Sequence, residues 1–536
     1  MSRPNPVVLL AVLAAFVAGV SALSLLKGGL YIARHEGDML HLLEILFRLE
    51  RGEIPHLDFM TPIGAFAFLP IHAFMASGMG VDQAIHWAQA SVAAALLPVV
   101  WWTALTRFPG LLAYAFGLVC LVLVTALVHG ETVDAVSISM HYNRWAWALA
   151  FVAIALAVLR PLGAPRPLVD GAILGLCIAG LVMIKVTYAV ALGPAILVAL
   201  LLRHERRMLL AAAAAGLIVA AGVTAWGGIG YWAAYLGDLA TVAASDVRPS
   251  PSLDLAGTLV APAYLGGTLA ALLAVVLLRR AGAEEGGLLT FLLLPGFAYV
   301  TYQNFGNDPQ WLALLGLLLL VLRHEADLAA VRPAQALGYV ATVLFAFAAP
   351  SYINLAYSPV RHALADPGEY APLIPRSERH AGFRTADIRA NQIDGLIPLD
   401  GPGSGLETYR ELADRPEPVE FRGETLPQCE VMLGLPGWLD GIARDLEAAG
   451  YAGDTRIFAA DIFSSHWMFN GGQPLVKGAP WYYGGLPGWE SADYLLVPLC
   501  PALPPVRRSL LELVEETGAR LTEVRRTPLY ILYSIS

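Results

Sequence analysis

Residues Tyr31–Phe59 read YIARHEGDMLHLLEILFRLERGEIPHLDF. The stretch follows directly on an apolar run, Val7–Leu26, and sets two carboxylates, Glu36 and Asp38, beside His35 at the edge of that run. Met39, Leu42, Leu43, Ile45, Leu46 and Leu49 recur at helical spacing beside Glu44, Arg48, Glu50 and Arg51. That is the pattern of an amphipathic helix lying at a membrane interface. Asp38, at its start, admits two readings. It is either an N-cap accepting backbone N–H bonds, or a carboxylate facing a cavity at the membrane surface. In the second role it takes a proton from an acceptor hydroxyl or holds a divalent cation. Glu36 is the alternative catalytic carboxylate, and His35 reads either as a substrate contact or as a hydrogen-bonding surface group.

The chain around this stretch is apolar. Of 536 residues 57% are hydrophobic and 14% charged, where a soluble chain carries about 25% charged residues. Apolar runs at 7–26, 84–106, 110–129, 144–160, 168–185, 188–202, 208–226, 256–278, 287–302, 309–322 and 336–354 are the candidate spans of a hydrocarbon core about 30 Å thick. The first is read as a retained span, since its apolar stretch is longer than that of a signal peptide. With about eleven spans, the arginines at 3, 107, 160, 166, 203, 206, 207, 279, 280, 323 and 332 fall on one side, which the positive-inside rule makes cytoplasmic. Counting 62–80 as a span would invert that assignment. Its Pro62, Gly64, Pro70 and Gly78 also make a poor straight helix, so it reads as a re-entrant or surface element. The expected domains are a transmembrane catalytic domain, 1–357, and an extracytoplasmic α/β domain, 358–536. The expected location is the bacterial inner membrane. The net charge of −9 sums two sides of a membrane, and without a basic tract nucleic acid is excluded as a partner.

The outer segments 31–83, 130–143, 227–255 and 303–308 collect the unusual polar residues. The second holds Glu131, Asp134, His141 and Asn143, with Arg144 opening the next span. These read as a solvated loop or as ligands of an anionic group such as a lipid phosphate. Lys185 lies where one span ends and the next begins, with Tyr188 close behind. A lysine there either snorkels to the surface or faces a ligand. In the fourth segment Asp308 and Pro309 read as a helix start, leaving Gln303 and Asn304 to bind sugar hydroxyls. Arg248, in the third, is a weaker candidate.

A first span, an acidic motif at its outer end, an amphipathic helix, then Gly52, Pro55, Asp58, Phe59 and Pro62 before an apolar segment resembles the GT-C-type polytopic glycosyltransferases. That group includes bacterial aminoarabinose transferases and eukaryotic protein mannosyltransferases. The resemblance covers residues 5–350 in architecture and 31–64 in motif. It implies an enzyme that moves a sugar from a polyprenyl-phosphate donor to a lipid, glycan or protein acceptor. It requires no cofactor, although a divalent metal is compatible with it. Asp38 takes the position of the catalytic first-loop acid, with Glu131 or Asp134 matching a second acid by location. The sequence departs from the pattern in having His-Glu-Gly-Asp where relatives have Asp-Glu, and Thr61-Pro62-Ile63-Gly64 in place of paired prolines. A transporter or flippase and a non-catalytic scaffold for envelope polysaccharide are the competing readings.

In the C-terminal region RIFAAD, ADYLLVPL and LYILYSI read as strands, and LDGIARDLEAAG and PVRRSLLELVEETGA as helices. Cys429 and Cys500 are placed to pair in an oxidising compartment. The aromatic stretch Ser464–Glu490 suits carbohydrate stacking or packing against the membrane domain.

Overall fold

The computed structural model describes residues 3–245, 247, 255–304, 308–325, 330–401, 403–412 and 418–536. The first part is a helical bundle. Its helices begin with α1 (Pro6–Leu26), α2 (Glu36–Glu50), α3 (Leu69–Met75), α4 (Val81–Arg107), α5 (Leu111–Thr125), α6 (His141–Val158) and α7 (Pro167–Leu202). They continue with α8 (Arg206–Gly227), α9 (Gly230–Ala243), α10 (Leu255–Val260), α11 (Pro262–Arg280), α12 (Glu284–Gln303), α13 (Trp311–Leu322) and α14 (Val331–Leu364). Among the described residues six helices, α1, α4, α7, α8, α11 and α14, are long and apolar enough to cross a membrane.

Helix α7 is broken. Lys185 leaves helical geometry, with φ −154° and ψ 100°. Asp170, near the start of α7, and Arg203, just past its end, line one cavity of about 480 Å³ with Arg107, Arg160 and Glu285. The two halves therefore run antiparallel and turn back at Lys185. A reversal frees backbone carbonyls that need partners. Tyr235 of α9 donates its hydroxyl to Val182 O at 2.7 Å, and Gly64 N–H donates to Ile184 O at 3.1 Å. A Cβ at Gly64 would stand 2.1 Å from Met183 O, so only glycine allows this approach. The segment 62–80 thus plugs the turn. Its one α-helix, α3, has seven residues, about 10 Å of rise, far short of a crossing.

One expected loop and one expected span are ordered otherwise. The 227–255 segment contains α9, whose Asp238 accepts from Thr61 N–H at 3.1 Å and lies 2.8 Å from His56 Nδ1. The run 256–278 is divided at Ala261, with Pro262 opening α11.

The largest correction concerns α2. It does not lie at a lipid interface with its charges in water, because the C-terminal part covers it. Glu44 and Arg48 pair at 3.2 Å with both side chains fully buried. Glu44 accepts from Ser465 Oγ at 2.8 Å, and Arg48 donates to Glu53 and to Leu475 O. Trp481 packs on His41 and Trp467 on Phe47. The aromatic stretch therefore serves docking on α2.

The boundary expected at 357/358 falls inside α14. Strand β1 (Leu30–Ile32), between α1 and α2, joins β2 (Tyr370–Pro372) and β3 (Phe383–Ala386) in one sheet of order β1-β3-β2, with β1 parallel to β3. The main C-terminal sheet orders the strands Leu521–Arg526, Tyr530–Ile535, Tyr494–Pro498 and Ile457–Ala459. Only the first of these was missed in the sequence. Helices Leu435–Ala448 and Pro504–Glu516 contribute to the same apolar core, which is continuous with that of the bundle. Cys429 and Cys500 are bonded, and Cys120 and Cys177 are buried and free.

Replacing Arg48 with Met strands the Glu44 carboxylate in the interface. The expected loss is about 3–5 kcal/mol, read as a lower Tm and faster proteolysis of the C-terminal part; an unchanged Tm contradicts the network. Burial holds the His380 and His466 imidazoles down, each to about 4, and Val81 N–H donates to His380 Nδ1 at 3.3 Å. Their folded pKa lies below the unfolded value, so their neutral-state stability is complete above about pH 6.5 and is lost as pH falls toward 4. Thermal scans across that window should show Tm falling with acid, and His466→Gln should lessen the slope.

Candidate active site

The site is built on the junction between α1 and α2. Helix α2 begins at Glu36, not after Asp38. Its N-cap is His35, in left-handed geometry at φ 66° with no side-chain cap bond. Asp38 therefore lies in the first turn and is not the cap. Its carboxylate accepts from Ser139 Oγ, on the loop between α5 and α6. Ser137 of that loop lies 3.0 Å from His35 Nδ1 and also accepts from Ser139 N–H. One short loop thus holds both His35 and Asp38.

Arg144 shapes the loop from beneath. Its guanidinium is buried and donates to Ala126 O at 3.1 Å and to His129 O and Ser139 O at 3.4 Å. Its partners are carbonyls of its own neighbourhood, and it sets where the loop runs. Asn354 of α14 donates to Glu131 O and Val133 O at 2.6 and 2.8 Å. Asp308 N–H and Gln310 both donate to Gly130 O. Asp308 is not the N-cap of α13, a place taken by Gln310.

These supports bring three side chains together. Ligand atoms of His35, His129 and Glu131 lie within 4.8 Å of one another, and the two imidazole rings are 4.8 Å apart. Arg34 reaches Glu131 only at 3.8 Å. Burial holds the His35 imidazole below its usual value, against the pull of Asp38 and Glu131. Burial pushes the Asp308 carboxyl up to about 6, and the Glu131 charge adds to that.

A second polar group forms at the α7 turn. Lys185 Nζ donates to Asn304 Oδ1 and stands 5.4 Å from the centre of the Tyr142 ring. Asn143 also donates to Asn304, at 3.2 Å. Ser139 and Tyr142 are three residues apart, so their α-carbons are at most about 11 Å apart. The Asp38 contact and the Lys185 contact thus lie on one short stretch of chain.

Most of the other expected site residues have partners within the fold. Glu36 accepts both prongs of Arg389 at 2.7 and 2.9 Å, a clamp between α2 and the C-terminal part. Asp58 accepts from Ile54 N–H at 2.7 Å and closes a turn. His141 Nε2 donates to Ala67 O at 2.9 Å and pins the 62–80 segment. Tyr188 is buried edge-on against Trp147. Asp134 is exposed and Gln303 half-buried. Arg248 lies outside the described residues. Sequence reasoning missed Ser137, Ser139, His129 and Asp238, and its only signal was their place in segments already suspected.

No family model, curated protein or solved structure matches the chain.

Arg144→Leu leaves three carbonyls without their donor, at a cost of about 1–3 kcal/mol for each buried group left unmet. The expected result is a lower Tm, with hydrogen exchange rising across 126–140 before the rest of the bundle.

Proposed function

We propose that the protein is a membrane glycosyltransferase of GT-C type. It takes a sugar from a polyprenyl-phosphate donor and passes it to a hydroxyl of a lipid, glycan or protein acceptor. The observation that carries this reading is the Asp38 carboxylate, fixed by Ser139 close to a second polar group centred on Lys185. The reaction needs a proton acceptor near the incoming hydroxyl and a cation near the departing phosphate. In the proposed step Asp38 takes the acceptor proton and the acceptor oxygen bonds to the anomeric carbon. The bond from that carbon to the phosphate oxygen breaks, and polyprenyl phosphate leaves with its electron pair. A single displacement inverts the anomeric centre. Lys185 exchanges Asn304 for a phosphate oxygen, while Arg144 positions the loop. This reading carries with it about eleven crossings, the two halves of α7 counted separately. It also places the C-terminal part outside the cytoplasm and the whole in a bacterial inner membrane.

A transporter is the second reading, favoured by the broken α7, since transporters build sites at helix breaks near the bilayer midplane. Here each half of α7 is long enough for most of a crossing, so the break lies at an end rather than at mid-depth.

The test is sugar transfer from a panel of radiolabelled polyprenyl-phosphate sugars by the full chain in lipid nanodiscs. Wild type should transfer at least one sugar, and Asp38→Asn should be slower by about 100-fold or more, the usual worth of a general base. Lys185→Met should raise KM for the donor and lower kcat. Equal turnover by Asp38→Asn removes the base assignment. Transfer with none of the donors by folded protein removes the enzyme reading.

A further inference from the structure

The loop between α5 and α6 and the left-handed turn before α2 have no structural need to meet through two histidines and a glutamate. His35 stands at φ 66°, a region that costs a non-glycine residue about 1–2 kcal/mol, and strain of this kind is retained where the surroundings over-determine it. The side chain it presents lies beside His129 and Glu131, with three ligand atoms inside a 4.8 Å circle. Tetrahedral ligands at about 2.0–2.2 Å from a zinc ion lie about 3.2–3.6 Å from one another, so small side-chain adjustments close this group on an ion. Ser137 Oγ holds one ring nitrogen of His35, the arrangement by which metal-ligating histidines are oriented through the nitrogen that does not bind. The backbone beneath the other two ligands is fastened as well: Arg144 donates to His129 O, and Asn354 to Glu131 O. Arg34, at 3.8 Å from Glu131 with a side chain 43% exposed, has room to swing away.

We propose that His35, His129 and Glu131 form a divalent transition-metal site of zinc type, with its fourth position open. Two imidazoles and one carboxylate select zinc and its neighbours over magnesium and calcium, which take oxygen ligands almost throughout. Three protein ligands with one open place mark a site that receives water or a ligand oxygen rather than a closed structural centre. Asp38 lies three residues beyond His35 and is held through Ser139 by the loop that supplies the other two ligands. The proposed ligands and Asp38 are therefore held by the same loop. The site rests on its own geometry and not on the proposed transfer reaction.

The experiment uses the full chain in nanodiscs, stripped with chelator and dialysed against zinc chloride, with bound metal read by mass spectrometry. Wild type should take up about one zinc per chain more than a His35→Ala/His129→Ala/Glu131→Gln triple variant. Each single substitution should weaken binding by 10-fold or more, and Asp134→Asn, on the same loop, should not. Cobalt loading of wild type gives a readout that needs no variant to fold: intense visible bands of a four-coordinate nitrogen–oxygen site are expected. Wild type that holds no zinc beyond the triple variant, or cobalt with the pale spectrum of an all-oxygen octahedral ion, overturns the proposal. Both readouts omit donor and acceptor, so they are independent of the transfer assay: zinc bound without transfer keeps the site and removes the reaction, and transfer without zinc does the reverse.

Discussion

One buried guanidinium governs the end of the bundle that meets the C-terminal part. Arg144 opens α6, where its charge has no water around it, and it is kept there by carbonyls of Ala126, His129 and Ser139. A charge in such a place is costly unless its donors are met. Here both terminal nitrogens are met by a loop whose own carbonyls need donors inside a packed structure, while Nε is left buried without a partner. The two needs answer each other. The loop's path follows from that exchange, and with it the positions of Ser137, Ser139, His129 and Glu131.

The second constraint is the lid. Helix α2 has a polar edge that would suit a membrane surface, yet Glu44 and Arg48 are wholly enclosed. The C-terminal part supplies Ser464, Ser465 and Leu475 O to complete their hydrogen bonds. The sheet shared by β1 and β3 and the Glu36–Arg389 clamp fasten the two parts at the same junction. Buried polar pairs add specificity to docking more than net stability, and the enclosed Glu44–Arg48 network together with the Glu36–Arg389 clamp leaves little freedom in how the C-terminal part sits on α2.

At the opposite end the arginines are engaged differently. Arg107 pairs with Asp170 at 2.7 Å, and Glu285 pairs with both Arg160 and Arg203. The loops that suggested one side of a membrane by their charge do gather at one end of the bundle. Two acids distant in sequence, Asp170 and Glu285, pair with Arg107, Arg160 and Arg203 across helices. The polar chemistry that is not absorbed in this way lies at the end covered by the C-terminal part.

Much of this was legible in order. Apolar runs and their breaks mark the helices, because a crossing of fixed thickness demands a run of fixed length. Period-two and period-3.6 patterns mark three strands of the main C-terminal sheet and the two long helices of that part. Prolines and glycines mark 62–80 as something other than a straight helix. Asp38, Lys185 and Asn304 were singled out because polar groups at apolar edges are costly. Their partners were not legible. Ser139 is 101 residues from Asp38 and Asn304 is 119 from Lys185, and no local rule links such positions. Glu36 and Arg144 carry the same charges whether they bind a ligand or hold a fold, and only tertiary packing brought the neighbours each has here, Arg389 for one and three carbonyls for the other.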